Sequence, residues 1–189
     1  IGKSRVAAIT NIVNGLEPDF IFLTGDLMDG SVNQLKDHME PFKQLKSRYG
    51  IIYVTGNHEY YSGAKAWKEF FIREMNWNVL SNQALSYSLG DLDLNILGIE
   101  DRHWLYLEKI KKKNDKRLEF CVEDLRTKTL AFENPNAFNI LLAHQPKDWK
   151  SLVKFPFIQL QISGHTHGGQ IWPWHLLVWV QQGGLVSGR

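Results

Sequence analysis

Short apolar runs, each closed by glycine or a turn residue, recur along this chain and predict its strands at residues 19–24, 51–55, 138–143 and 159–163. Buried strands read as such runs, rich in β-branched side chains. Between them the apolar positions fall at helical spacing. Val6, Ile9, Ile12, Val13 and Leu16 predict a first helix, capped by Ser4 and closed at 15–18. Ser31 opens a second, carrying Val32, Leu35 and Met39, which Pro41 breaks and restarts. A third spans 64–75, with Trp67, Phe70, Phe71 and Glu74 on one buried face. Strict alternation across Gly90-Asp91 predicts an antiparallel hairpin from 85–89 and 92–96. Further helices are expected over 118–130 and near 148–153. The rhythm predicts one α/β domain over residues 1–189 with a mixed sheet.

Four residues stand just past the ends of strands: Asp26, Asn57, His144 and His165. Open α/β sheets gather functional groups in the crevice beyond the carboxyl ends of their strands. Four residues of metal-ligating type in that position predict one polar site assembled from distant segments, and a metal-dependent hydrolase. Composition adds little but excludes much. With 189 residues, 43% hydrophobic and 22% charged, the chain can bury a core and is neither disordered nor fibrous. A formal charge of +2 gives no push towards nucleic acid as an obligatory partner. The lone Cys121 cannot form an internal disulfide and reads as a buried thiol. No stretch approaches the roughly 20 apolar residues that cross a bilayer.

Three motifs carry the chemistry. Gly25-Asp26-Leu27-Met28-Asp29-Gly30 sets two carboxylates in a glycine-flanked turn, and one carboxylate can bridge two cations. A solvated Asp-Gly turn is the alternative for this stretch alone. In Gly56-Asn57-His58-Glu59 the amide oxygen suits a hard metal, while the adjacent histidine can reach substrate. By itself His58 would also suit a structural hydrogen bond. Gly164-His165-Thr166-His167-Gly168-Gly169 holds two histidines one residue apart, placed to serve neighbouring metals. His144, in Ala143-His144-Gln145-Pro146, gains its weight from its place in the series. Nucleophile-elbow, phosphate-loop and dinucleotide fingerprints do not occur.

Gly-Asp-x-x-Asp, Gly-Asn-His-Glu, a strand-end His and Gly-His-x-His, in that order over residues 19–170, resemble the calcineurin-like metallophosphoesterase superfamily. The strings 54–61 and 164–171 resemble its subgroup called transmembrane protein with metallophosphoesterase domain. The resemblance implies a layered α/β fold with mixed β-sheets, and two divalent ions drawn from Mn, Fe, Zn or Mg. Asp26 would bridge them, Asn57, His144 and His165 would complete one shell, and His167 would bind the other ion. His58 would act on the phosphoryl group or the leaving oxygen, oriented by Asp29. A metal-bound hydroxide would attack a phosphomonoester or phosphodiester in line. The subgroup resemblance admits a lipidic or membrane-associated substrate, and the parent protein would carry a membrane anchor. An Asp-x-His pair on an earlier strand is also implied, and none precedes Asp26. The expectation is therefore a partial domain, truncated at both ends, with one complete metal shell. A catalytically impaired binding scaffold on the same fold is the competing reading, and a nuclease would call for a broad basic groove.

Weaker features remain. The basic run of Lys109, Lys111, Lys112, Lys113, Lys116 and Arg117 reads as a solvated face or an anion contact. Asp101-Arg102-His103, after the hairpin, reads as a surface turn or an approach to the site. The aromatic stretch 172–180 reads as a core-packing helix or a wall of the site's mouth that meets lipid.

Overall fold

The computed structural model describes residues 2–103, 121, 123–125, 134–152, 154–167 and 175–181. Two sheets organise them. In the first, β1 (Phe20–Leu23) and β2 (Gly50–Tyr53) run parallel with Leu23 opposite Tyr53, and β2 continues to a short parallel β3 (Asn78–Val79). In the second, β4 (Gln83–Leu89) and β5 (Leu92–Gly98) form the antiparallel hairpin, while β6 (Phe138–Leu142) and β7 (Leu160–Ile162) add in parallel. The layered α/β fold with parallel and mixed sheets is thus the one expected, with strands a residue or so shorter than their apolar runs.

Alternation along the strands builds three cores. Ile52 and Val54 meet Leu94, Ile96 and Leu142 in the core shared by the two sheets. Tyr53, between them in sequence, faces the opposite way into a cluster with Trp67, Phe71, Met75 and Trp77. On the outer face of the second sheet, Leu97, Ile99, Leu141 and Ala143 pack with Cys121 and Leu125. Cys121 is fully buried, as its composition-based reading required. The layers run helix, sheet, sheet, helix.

Helix α1 (Lys3–Gly15) starts earlier than expected. Extended Gly2 is its N-cap and no side chain caps it, so Ser4 lies inside the first turn. Its buried contacts are Val6 and Thr10, whereas Ile12 and Leu16 are 68% and 74% exposed. Helix α2 (Val32–Met39) does open at Ser31, where the Gln34 side-chain oxygen accepts from both the backbone N–H and the hydroxyl of Ser31. Pro41 turns the chain into a 3-10 segment, Glu40–Gln44. A short helix α3 (Asn57–Ser62), not foreseen, begins directly on the Gly-Asn-His-Glu motif. Helix α4 (Ala64–Met75) buries Trp67, Phe71 and Met75 at four-residue spacing; Glu74 points to solvent instead.

Helix α5 (Trp149–Leu152) connects β6 to β7, and α6 (His175–Gln181) follows the Gly-His-x-His loop. Leu177, Trp179 and Val180 are 61%, 53% and 69% exposed. The described part of the aromatic stretch is therefore helical, with these three side chains turned to solvent. Trp172 and Trp174, the basic run and most of the expected helix 118–130 lie outside the described residues. No described helix is long and apolar enough to cross a membrane.

Candidate metal centre

Pairing between strands continues past their ends and brings the polar residues side by side. Val54 N–H donates to the Leu23 carbonyl, Ala143 N–H to Ile162 and Gly164 N–H to His144. Asp26 therefore lies beside Gly56 in the first sheet, and His165 follows the residue beside His144 in the second. Carboxyl ends of parallel strands from both sheets meet at one crevice, as the open-sheet rule anticipates.

Two backbone loops are fastened there by one buried side chain. Glu59 is 0% exposed. Its Oε2 accepts from the N–H groups of Asp26 at 2.9 Å and Gly56 at 2.7 Å, and its Oε1 from Leu27 at 2.7 Å and Met28 at 3.1 Å. Four donors from two loops satisfy a carboxylate that would otherwise be costly to bury. The clamp holds Asp26 in the left-handed region, at φ +57°, a conformation worth about 1–2 kcal/mol of strain for an L-residue. Gly25, at φ +90°, lies so close to the Thr55–Gly56 backbone that no Cβ fits. Glu59 is the functional residue that the motifs do not flag. Its signal is the third helical position after Gly56, where a glutamate reaches back to the helix's own N-cap.

His144 is 1% exposed. Its Nδ1 lies 2.6 Å from the carbonyl oxygen of Thr24, an acceptor only, so Nδ1 carries the proton. The other nitrogen, Nε2, is 3.0 Å from Asp26 Oδ2, 3.2 Å from Asn57 Oδ1 and 3.0 Å from His165 Nδ1. Neutral His144 presents a lone pair there. Two further acceptors, on Asp26 and Asn57, would then converge, beside the His165 nitrogen, on a nitrogen with no proton to give. Ligand atoms of Asp26, His144 and His165 all lie within 4.8 Å of one another. Two imidazoles, a carboxylate and an amide oxygen are a donor set for a first-row divalent cation, and a cation resolves the convergence of acceptors. The residues fit a metal.

Titration behaviour agrees. Burial works against charge on His144, but the hydrogen bond and charge of Asp26 outweigh it and lift His144 above the ordinary histidine value. Burial would raise Asp26, yet the hydrogen bond and charge of His144 bring it below the usual carboxylate range. Burial, followed by the charge of His144, pushes His165 down to about 4. Of the two imidazoles His165 thus holds a proton less readily, which leaves a lone pair for a ligand.

The remaining expected residues divide. His58 sits beside Asn57 on α3, outside the cluster, with Nδ1 3.4 Å from Asp29 Oδ1. Its backbone N–H donates to Asp26 Oδ1 at 2.9 Å. His58 is thus adjacent to Asn57 and outside the three-residue cluster, with its ring turned towards Asp29. His167 is exposed, in the left-handed region at φ +51°, and does not join the three-residue cluster. Asp101 does approach the crevice. It is 1% exposed beyond the end of β5 and accepts from Gln145 Nε2 at 2.8 Å, next to His144.

Residues 2–169 match the family described as calcineurin-like phosphoesterase. A metallophosphoesterase of Helicobacter pylori is 37% identical over 180 residues, covering 95% of this chain and 44% of that protein. The transmembrane protein with metallophosphoesterase domain of Bos taurus is 34% identical over 175 residues, covering 92% of this chain and 38% of that protein. The chain thus spans less than half the length of these relatives. In fold it is similar to the NAD nucleotidase of Haemophilus influenzae, with a TM-score of 0.55 at 13% identity over 88% of this chain and 36% of that one.

Proposed function

The chain belongs to the calcineurin-like phosphoesterase family, and from that premise we propose that it forms the catalytic crevice of a phosphoester hydrolase working at a binuclear metal centre. The observation that carries this reading is His144 Nε2, ringed by Asp26 Oδ2, Asn57 Oδ1 and His165 Nδ1 at 3.0–3.2 Å. Asp26, Asn57, His144 and His165 would hold one ion, and Asp26 and His167 would contribute to a second. Two imidazole ligands favour a transition metal such as Mn, Fe or Zn over Mg. Paired divalent ions, when bound, acidify a water and offset charge on the phosphoryl oxygens.

The chain's own residues do the rest. Glu59 fixes the Asp26 loop and the Asn57 loop against each other, so the ligands are placed before substrate arrives. His58, adjacent to a ligand and backed by Asp29, faces the phosphoryl group as a hydrogen-bond donor. The substrate class is a phosphomonoester or phosphodiester. We further infer that the whole protein is membrane-associated and its substrate lipidic. The name of the bovine relative and the exposed Leu177, Trp179 and Val180 on α6 support this.

Two substitutions in the full-length protein test the assignment. Asp26→Ala should lose metal and activity together, because a bridging ligand serves both ions. His58→Ala should keep its metal and lose turnover by about 10²-fold or more. Elemental analysis alongside a phosphoester assay decides it. Equal metal loss in both variants would refute the division between metal ligand and phosphoryl-facing donor, and a wild type that binds metal without hydrolysis would make the chain a scaffold.

A further inference from the structure

A second row of side chains leads from a buried carboxylate to the mouth of the crevice. Asp101 Oδ1 accepts from the backbone N–H of His103 and from its Nδ1, both at 2.9 Å. A carboxylate only accepts, so Nδ1 bears a proton and Nε2 faces outward. Nε2 lies 2.6 Å from the hydroxyl of Tyr61, whose ring is in edge contact with the ring of His58, centroids 5.7 Å apart. Behind the row, Asp101 N–H meets Thr55 Oγ1 at 3.4 Å and Asp101 Oδ2 meets Gln145, so it is anchored to both ligand-bearing segments.

The order along α3 assigns positions. Asn57 is a ligand, His58 follows it, and Tyr61 lies one turn farther on the face of His58. A substrate whose phosphoryl group met His58 would find Tyr61 on the same face of α3. Tyr61 is 64% exposed, where water alone would satisfy a hydroxyl. A buried aspartate, a histidine and a glutamine committed to fixing it therefore suggest a task beyond packing.

We propose that Tyr61, backed by His103 and Asp101, donates the proton that the leaving-group oxygen takes up; this rests on the phosphoester-hydrolase reading above. A water oxygen bonds to phosphorus and releases its proton to solvent. The bond from phosphorus to the leaving oxygen breaks, with its electron pair staying on that oxygen. The Tyr61 hydroxyl proton passes to it, and a proton from solvent, relayed through His103 Nε2, returns to the tyrosyl oxygen, while Asp101 holds the imidazole by its Nδ1 proton. The His103 side chain is 30% exposed, so solvent reaches it.

Leaving-group dependence tests this in the full-length protein with its metals. The probes are phenyl and 4-nitrophenyl phosphate, or the methyl phosphodiesters of the same two phenols, whichever pair the wild type cleaves. The nitrophenolate departs without a proton, whereas the poorer phenolate gains from one. Tyr61→Phe and His103→Gln should each lower kcat on the phenyl ester by about 10²-fold and on the nitrophenyl ester by under ~3-fold. KM and metal content should hold. Equal losses on both esters, or no loss on either, would overturn the relay. A wild type that cleaves neither pair would fail the hydrolase reading first, and the relay with it.

Discussion

The two halves of the metal centre are held by different means. On the first sheet, Glu59 spends both carboxylate oxygens on four backbone N–H groups, and Gly56 leaves no room beside Asp26 and His144. On the second sheet, the described part of the Gly-His-x-His loop makes backbone contacts from Gly164 N–H to His144 and from Thr166 N–H to Gly164. Its His165 and His167 both sit at positive φ. The difference follows from charge. Asp26 is an anion in a buried crevice and must stand where cations arrive, so a rigid frame lowers the reorganisation that binding would cost. A neutral imidazole such as His165 is cheap to shift, and its loop can adjust to the coordination an ion demands.

The largest expected effect is Glu59→Ala. Four backbone donors lose their acceptor, and those that are buried cost ~1–3 kcal/mol each. A loss of about 3–5 kcal/mol in urea denaturation is expected, together with loss of metal binding. Stability equal to the wild type would mean that Glu59 is no clamp. Next comes Gly56→Ala. Its Cβ would stand 2.6 Å from the Asp26 nitrogen and 2.8 Å from His144 Cε1, and neither can retreat without moving a ligand. Overpacking of this kind costs ~1–3 kcal/mol, so metal affinity by calorimetry should fall about tenfold or more. Smallest is Gly164→Ala, whose Cβ meets the Thr24 hydroxyl at 2.9 Å, a side chain outside the set of ligands. A change in affinity under ~3-fold is expected. Should it match Gly56→Ala, the histidine loop is as rigid as its partner and the contrast between the halves disappears.

Much of this is legible in the chain. The apolar runs before Asp26, Asn57, His144 and His165 can be read because a buried parallel strand has few other ways to be written. The pairing of His144 Nδ1 with the Thr24 carbonyl cannot, since local pattern does not say which sheet lies against which. Helix α3 escapes because six residues carry too little periodicity. Glu59 stands inside its motif, but a carboxylate that binds backbone looks in sequence like any other glutamate beside a metal ligand. For the stretch around Trp179, hydrophobicity alone points to a core, and hydrophobicity does not report whether other elements remain to cover it.

Thr24 and His144, 120 positions apart, join the two sheets at the same point where the ligands converge. Asp26 and Asn57 come from one sheet, and His144 and His165 from the other. An ion seated between them is therefore a rivet through the sandwich. Its binding would add to the stability of the sandwich whose core is built by Ile52, Val54, Ile96 and Leu142, although none of them comes near it in the chemical sense.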